Sequence, residues 1–352
     1  MTRPADDDAR WMAAAIALSE RGRGRTTPNP NVGCVIVKGG HVIGRGWTQP
    51  GGRPHAEAMA LEQAGAMAEG ATVYVTLEPC AHESARGPAC ADLLAAAAPG
   101  RIVAALTDPD PRTAGRGFAR LQAAGIAVTE GVSADSARHA MAGFLTRQAL
   151  GRPHVTLKLA TSLDGKIALP SGESRWITGP EARAHAHLER ARTDAILVGR
   201  GTYEADAPRL DVRLAGLEDR SPIPLLLSTR HAGLDPASRF FSNEGQGSGT
   251  PDQVRGDGRA WRVLDVPHAI ADLPIDHLLV EGGAGAASTF LAADLVDRLL
   301  LYRAPILIGE GRAAIGDIGL GHLADAHGRW ALTDARGLGT DRLEIYERQR
   351  SL

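Results

Sequence analysis

The chain is short of cysteine, of net charge and of long apolar runs, and each shortage removes a class of protein. Three cysteines in 352 residues cannot build a paired framework, and this usage points to a reducing compartment. Lys and Arg number 39 against 41 Asp and Glu, a net charge of −2. Such a balance leaves no electrostatic footprint for a long polyanion, so no nucleic-acid partner is expected. No apolar run approaches the roughly 20 residues of a membrane span. The opening Met1-Thr2-Arg3-Pro4, with three aspartates soon after, has no apolar signal core. A cytoplasmic enzyme with no membrane contact is expected. Its length and its 43% hydrophobic residues suffice for two domains with ordinary cores.

The two halves meet near Gly151-Arg152-Pro153, where glycine and proline stop a helix. This predicts domains at 1–150 and 151–352. In the first, Trp11, Met12, Ala15, Ile16 and Leu18 form a helical stripe. Val32 to Val37 reads as a buried strand, 56–68 as a helix and Thr72 to Thr76 as a strand. Cys90 to Ala98 (helix), Arg101 to Leu106 (strand) and a closing helix over 133–149 complete it. Alternating strands and helices predict a largely parallel sheet. In the second, strands are expected at His154 to Ala160, Ala195 to Val198, Ile223 to Leu227, His277 to Val280, Arg298 to Tyr302 and Arg342 to Tyr346. Helices are expected over 181–192 and from Ala284 to Ala293. Residues 235–260 are rich in Gly, Ser, Asp and Pro and read as a surface loop. The fold class is α/β in both halves.

His55-Ala56-Glu57, Glu78-Pro79-Cys80 and Cys90 carry the chemistry. An imidazole and two thiolates make a three-ligand zinc set, and a catalytic zinc keeps its fourth position for water. Zinc lowers the pKa of bound water towards about 7. The resulting hydroxide can add to a ring carbon that bears an exocyclic amine. Glu57, two residues after His55, is placed to take the water proton and pass it to the departing nitrogen. Histidine, glutamate and a proline-led cysteine pair in this order mark the zinc deaminases of nucleobases. Their common form is Cys-x-x-Cys, whereas nine residues separate Cys80 from Cys90 here. Cys80 follows a predicted strand, at the end where open α/β sheets place sites. Cys90 opens a helix, whose N-terminus favours the thiolate. Taken alone, a His-x-Glu is nearly worthless, and intracellular cysteines are usually buried small hydrophobes. Their combination is much stronger. Cys34 lies inside an apolar run and reads as core.

The chain resembles the bifunctional deaminase/reductase family of riboflavin biosynthesis. Thr27-Pro28-Asn29-Pro30-Asn31-Val32-Gly33, Tyr74-Val75-Thr76-Leu77-Glu78-Pro79-Cys80, Asp108-Pro109 and Ala114-Gly115-Arg116-Gly117 match its deaminase half. Leu157 through Lys166, Trp176-Ile177-Thr178, Ile196-Leu197-Val198-Gly199 and Val280-Glu281-Gly282-Gly283 match its reductase half. The resemblance implies a cytidine-deaminase-like three-layer α/β domain followed by a dihydrofolate-reductase-like α/β domain. It implies hydrolytic deamination of 2,5-diamino-6-ribosylamino-4(3H)-pyrimidinone 5′-phosphate. NADPH-dependent reduction of the ribosyl group, giving 5-amino-6-(5-phosphoribitylamino)uracil, would follow.

By this resemblance His55, Cys80 and Cys90 hold one zinc, Glu57 shuttles protons, and Asn29 and His82 contact the pyrimidine substrate. Arg86 matches a basic residue that meets its phosphate. The loop before Cys90 is one residue longer than in many relatives, and Asp110 stands where asparagine is usual. In the reductase half Ala160, Trp176, Thr202, Asp206 and Thr229 would line the NADPH site. So would Gly283, Ala284, Gly285, Ala286, Ala287, Ser288 and Thr289, where glycines and a helix N-terminus suit phosphate. Ser174, Arg190, Leu210, Arg213 and Glu281 would face the substrate, the arginines as bidentate phosphate partners. Ser228 stands where relatives tend to have aspartate.

Two other readings compete. A zinc deaminase of tRNA or nucleosides would need a basic face and would not bind NADPH. A non-catalytic paralogue would lack a ligand or Glu57, and neither is missing. The sequence leaves homo-oligomer formation open.

Overall fold

Apolar residues recurring every three to four positions make Pro4–Ser19 (α1) a helix whose Met12 and Ala15 are fully buried. The computed structural model describes residues 4–82, 86–228 and 260–350. It divides into two compact units, Met1–Gly151 and Arg152–Leu352.

The first unit is a five-stranded sheet flanked by helices. Its strands are Gly33–Lys38 (β1), His41–Trp47 (β2), Thr72–Val75 (β3), Arg101–Ala104 (β4) and Ala127–Thr129 (β5), in the order β2-β1-β3-β4-β5. The expectation of a largely parallel sheet needs correction. β1 pairs antiparallel with both β2 and β3, and only β3–β4 and β4–β5 are parallel. A hairpin at Gly39-Gly40, both at positive φ, makes β2 possible. The helices are Ala56–Ala64 (α2), Cys90–Ala97 (α3), Arg116–Ala123 (α4), Ala134–Ala140 (α5) and Ala142–Leu150 (α6). The helix expected over 56–68 is α only to Ala64 and continues as a 3-10 turn, Gly65–Ala68. The single closing helix expected over 133–149 is two, because Met141 leaves helical geometry at φ −105° and ψ 20° while staying buried.

The second unit carries an eight-stranded sheet. Its strands are His154–Thr161 (β6), Ala195–Gly199 (β8), Ile223–Leu227 (β9), Arg262–Leu264 (β10), His277–Glu281 (β11), Arg298–Arg303 (β12), Trp330–Leu338 (β14) and Asp341–Arg348 (β15). Lys166–Ala168 (β7) and Arg312–Ala313 (β13) form a separate two-stranded piece. The order β10-β9-β8-β11-β6-β12-β15-β14 is parallel through β12 and antiparallel beyond it. Pro180–Ala191 (α7), Arg200–Asp206 (α8) and Ala284–Ala292 (α9) connect strands. The central strands β8 and β11 are almost wholly buried, as expected where helices cover both faces. Thr229 and the loop expected at 235–260 lie outside the described residues, except Ala260. Among the described residues no helix is long and apolar enough to cross a membrane.

Candidate metal centre and cofactor cleft

In the first unit the starts of two helices and the loop after β3 meet. His55 is the N-cap of α2, with extended backbone that turns its ring off the helix start. Cys80 lies five residues past the end of β3, and Cys90 is the first residue of α3. His55 Nδ1 is 3.3 Å from Cys90 Sγ and 3.6 Å from Cys80 Sγ. The candidate ligand atoms of all three lie within 4.8 Å of one another. A tetrahedral zinc with ordinary bond lengths holds nitrogen and sulfur about 3.5 Å apart, so the donor set fits. Cys80 Sγ also accepts the Cys90 N–H at 3.3 Å. Its thiol is held down to about 4, first by the hydrogen bond from the Cys90 side chain, against the opposing effect of burial, and further by His55. Burial and the two acidic neighbours push Cys90 up once Cys80 takes the charge, the Cys80 hydrogen bond leading.

Glu57 sits in the first turn of α2 and is 3% exposed. Burial pushes its carboxyl up to about 7, with His55 opposing. Cys34 is fully buried in the core and close enough to feel the Glu57 charge. Asn29 donates through Nδ2 to the Gly52 carbonyl at 2.7 Å and lies 3.0 Å from His55 Nε2. His82 Nδ1 is 3.3 Å from Thr113 Oγ1. A cavity of about 260 Å³ is walled by His55 and Cys90 together with Arg53, Arg86, Gly87 and Leu93. Arg86 donates to the Gly51 carbonyl at 2.7 Å. The Arg53 guanidinium makes no hydrogen bond or ion pair among the described residues. Sequence reading missed Arg53, whose only signal is its place two residues before His55.

In the second unit a cleft of about 930 Å³ opens at the carboxyl ends of β6, β8 and β11, where parallel sheets bind ligands. Its walls include Ala160, Trp176, Thr202, Asp206, Gly283, Ala284, Gly285, Ala286 and Thr289, and also Ser174, Arg190, Leu210, Arg213 and Glu281. Ala287 turns into the core and Ser288 Oγ accepts the Gly316 N–H, so neither lines the cleft. A helix turns successive residues by about 100°, so only those three or four positions apart share a face and a whole run could not face a ligand. Gly283 caps α9, and its N–H donates to Thr202 Oγ1 at 3.0 Å. Trp176 is 66% exposed, with the Arg183 guanidinium 4.7 Å from its ring centre.

Arg190 does not stand free for a phosphate. It grips Glu281 through two N–H···O bonds of 2.7 and 2.8 Å and also donates to the Asp211 carbonyl. Lys158, which sequence reading did not single out, lines the cleft and lies 3.8 Å from Glu281. Its signal was a lysine inside the apolar alternation of β6. Burial opposes ionisation of Glu281, but Arg190 and Lys158 prevail and hold it at about 2. Lys158 and seven arginines surround this cleft against two acids, Asp206 and Glu281. That field suits phosphorylated ligands and a phosphate-rich cofactor.

The family model for the cytidine and deoxycytidylate deaminase zinc-binding region matches residues 5–106, and that for the RibD C-terminal domain matches residues 153–341. Riboflavin biosynthesis protein RibD of Escherichia coli K12 is 41% identical, over 95% of this chain and 97% of the relative. The chain belongs to the RibD family. RibD of Aquifex aeolicus is 37% identical over 89% of this chain and 91% of its own. Acinetobacter baumannii RibD superposes with a TM-score of 0.81 at 36% identity, covering 98% of this chain and all of that one. A Thermotoga maritima diaminohydroxyphosphoribosylaminopyrimidine deaminase/5-amino-6-(5-phosphoribosylamino)uracil reductase gives 0.82 at 30% identity over 99% of this chain and 100% of that one. Like other RibD proteins, the chain joins a cytidine-deaminase-like zinc-binding domain to a dihydrofolate-reductase-like domain of the NADPH-using type.

Proposed function

We propose that this chain deaminates 2,5-diamino-6-ribosylamino-4(3H)-pyrimidinone 5′-phosphate in residues 1–150. Residues 151–352 then reduce the ribosyl group with NADPH. The observation that carries the reading is the presence, on one chain, of a His–Cys–Cys set beside a buried glutamate and of a separate cationic cleft. His55, Cys80 and Cys90 would hold zinc, which supplies the Lewis acidity that makes water a nucleophile at neutral pH.

Deamination requires a proton taken from water and a proton given to the leaving amine. Glu57 can hold that proton near neutrality, because burial favours its neutral form. Asn29 and His82 would orient the pyrimidine. The unpaired Arg53, with Arg86 beside it, offers the cavity's positive charge to the ribose phosphate. In the second unit Ala160, Trp176, Thr202, Asp206, Thr229 and the α9 start would hold NADPH. Ser174, Leu210, Arg213 and the Lys158–Glu281–Arg190 group would face the ribosyl end. Three buried unpaired thiols fit a reducing, cytoplasmic compartment.

One assay tests the reading. The substrate is supplied with NADPH, and ammonia release and NADPH loss are followed separately. Ammonia should appear first and without NADPH, and oxidation should depend on prior deamination. NADPH loss without ammonia from this substrate would refute the order and the assignment.

A further inference from the structure

Glu78 stands two residues before Cys80, yet it takes no part in the metal set and touches none of its ligand atoms. It is 2% exposed and has no ion pair among the described residues. Its charge is met instead by four backbone N–H groups. Oε2 accepts from Asp108 at 3.1 Å and Gly115 at 3.0 Å. Oε1 accepts from Gly117 at 2.9 Å and Phe118 at 3.3 Å. The last two belong to the first turn of α4. That helix starts from Gly115, which has no side chain to cap it. Glu78 therefore supplies from the loop after β3 the cap that α4 lacks, where the helix dipole also favours an anion.

A second contact locks the same segment. An added Cβ on Gly117 would lie 2.1 Å from the Pro79 carbonyl oxygen, so the chain before Cys80 rests directly on the α4 backbone. From there the Cys80 carbonyl accepts the Ala91 N–H at 3.1 Å, and its sulfur accepts the Cys90 N–H. The loop segment Glu78 to Cys80 after β3 is thus held by α4 on one side and by α3 on the other.

We propose that Glu78 is a positioning residue for the metal centre: by capping α4 in trans it fixes the backbone from which Cys80 reaches the ion. The inference rests on the zinc reading above. It is tested in the full-length enzyme with Glu78→Gln and Gly117→Ala, which disturb the two contacts by different means. Asp8→Asn serves as the comparison. Asp8 takes a two-pronged Arg101 contact and the Tyr74 hydroxyl elsewhere in the unit, so its loss destabilises the unit without touching the Cys80 segment. The readouts are bound zinc, the rate of zinc loss to a chelator, melting temperature and deamination kinetics.

Both test variants should release zinc about tenfold or more faster than wild type, in line with losses of outer-shell support at metal sites. Deamination kcat should fall while KM stays within about threefold. Asp8→Asn should lower the melting temperature and keep the wild-type release rate. If Glu78→Gln and Gly117→Ala release zinc no faster than Asp8→Asn at equal loss of melting temperature, Glu78 is merely a stabilising residue and the inference falls. Wild-type protein that holds no zinc would instead overturn the metal reading, and this inference with it.

Discussion

Glu57 lies two positions from the candidate ligand His55, and its carboxyl is outside the candidate ligand set. Its value is the proton, so Glu57→Gln should keep one zinc and lose deamination by about a hundredfold or more. Reduction of the deaminated intermediate should stay at wild type. Metal analysis beside an ammonia assay decides this, and wild-type ammonia release from the variant would remove Glu57 as the shuttle. Arg53 makes a different kind of claim. A guanidinium without a protein partner, on the wall of a small cavity, is available to an anion. Arg53→Ala should raise the deaminase KM for the 5′-phosphorylated substrate about tenfold, as expected for one lost charge-assisted hydrogen bond. The dephosphorylated compound should be handled as before. Equal loss on both compounds would show that Arg53 shapes the site rather than reading phosphate.

At the scale of elements, Glu281 on β11, Lys158 on β6 and Arg190 on α7 tie two strands to a helix. The folded Glu281 titrates at about 2 against an ordinary 4.5. The unfolded chain therefore binds more protons between these values, and stability rises with pH across that window. The tie is complete above about pH 4.5 and is lost as pH falls towards 2. Glu281→Gln should cost about 3 kcal/mol at neutral pH, because it leaves two cations without their counter-charge. It should also flatten the acid dependence of the denaturant midpoint. An unchanged slope between pH 2 and 5 would mean that other carboxylates govern acid unfolding.

The same scale shows what could be read from the chain alone. Buried strands such as Ala195–Gly199 and His277–Glu281 were legible because a short apolar run (Ala195 to Val198, Leu278 to Val280) at the centre of such a segment has few other uses. β2 was not. His41–Trp47 carries Gly44 and Gly46, which dilute its strand pattern. The reason is α2: a Cβ at Gly44 would lie 2.2 Å from the Ala60 carbonyl, and one at Gly46 2.3 Å from that of Ala56. The helix carrying Glu57 lies directly on that strand's backbone, a tertiary demand with no local periodicity. The clustering of His55, Cys80 and Cys90 into a candidate metal site was legible because three residue types in order are rare by chance. The pairing of Arg190 with Glu281 was hidden, since they lie 91 positions apart in the chain.

Across the whole molecule, each compact unit has its own hydrophobic core and its own candidate site. Loss of one site should therefore spare the chemistry of the other. Cys80→Ser in the full chain should lose zinc and ammonia release, while NADPH oxidation on the deaminated intermediate persists. Stability should separate in the same way. A chelator should lower one thermal transition, because an ion bound only by the folded state stabilises that state. NADPH at 100 times its Kd should raise the other by about 2.7 kcal/mol. Calorimetry with each addition in turn measures both. If either one moves both transitions together, the two units melt as one and the division of labour between them must be redrawn.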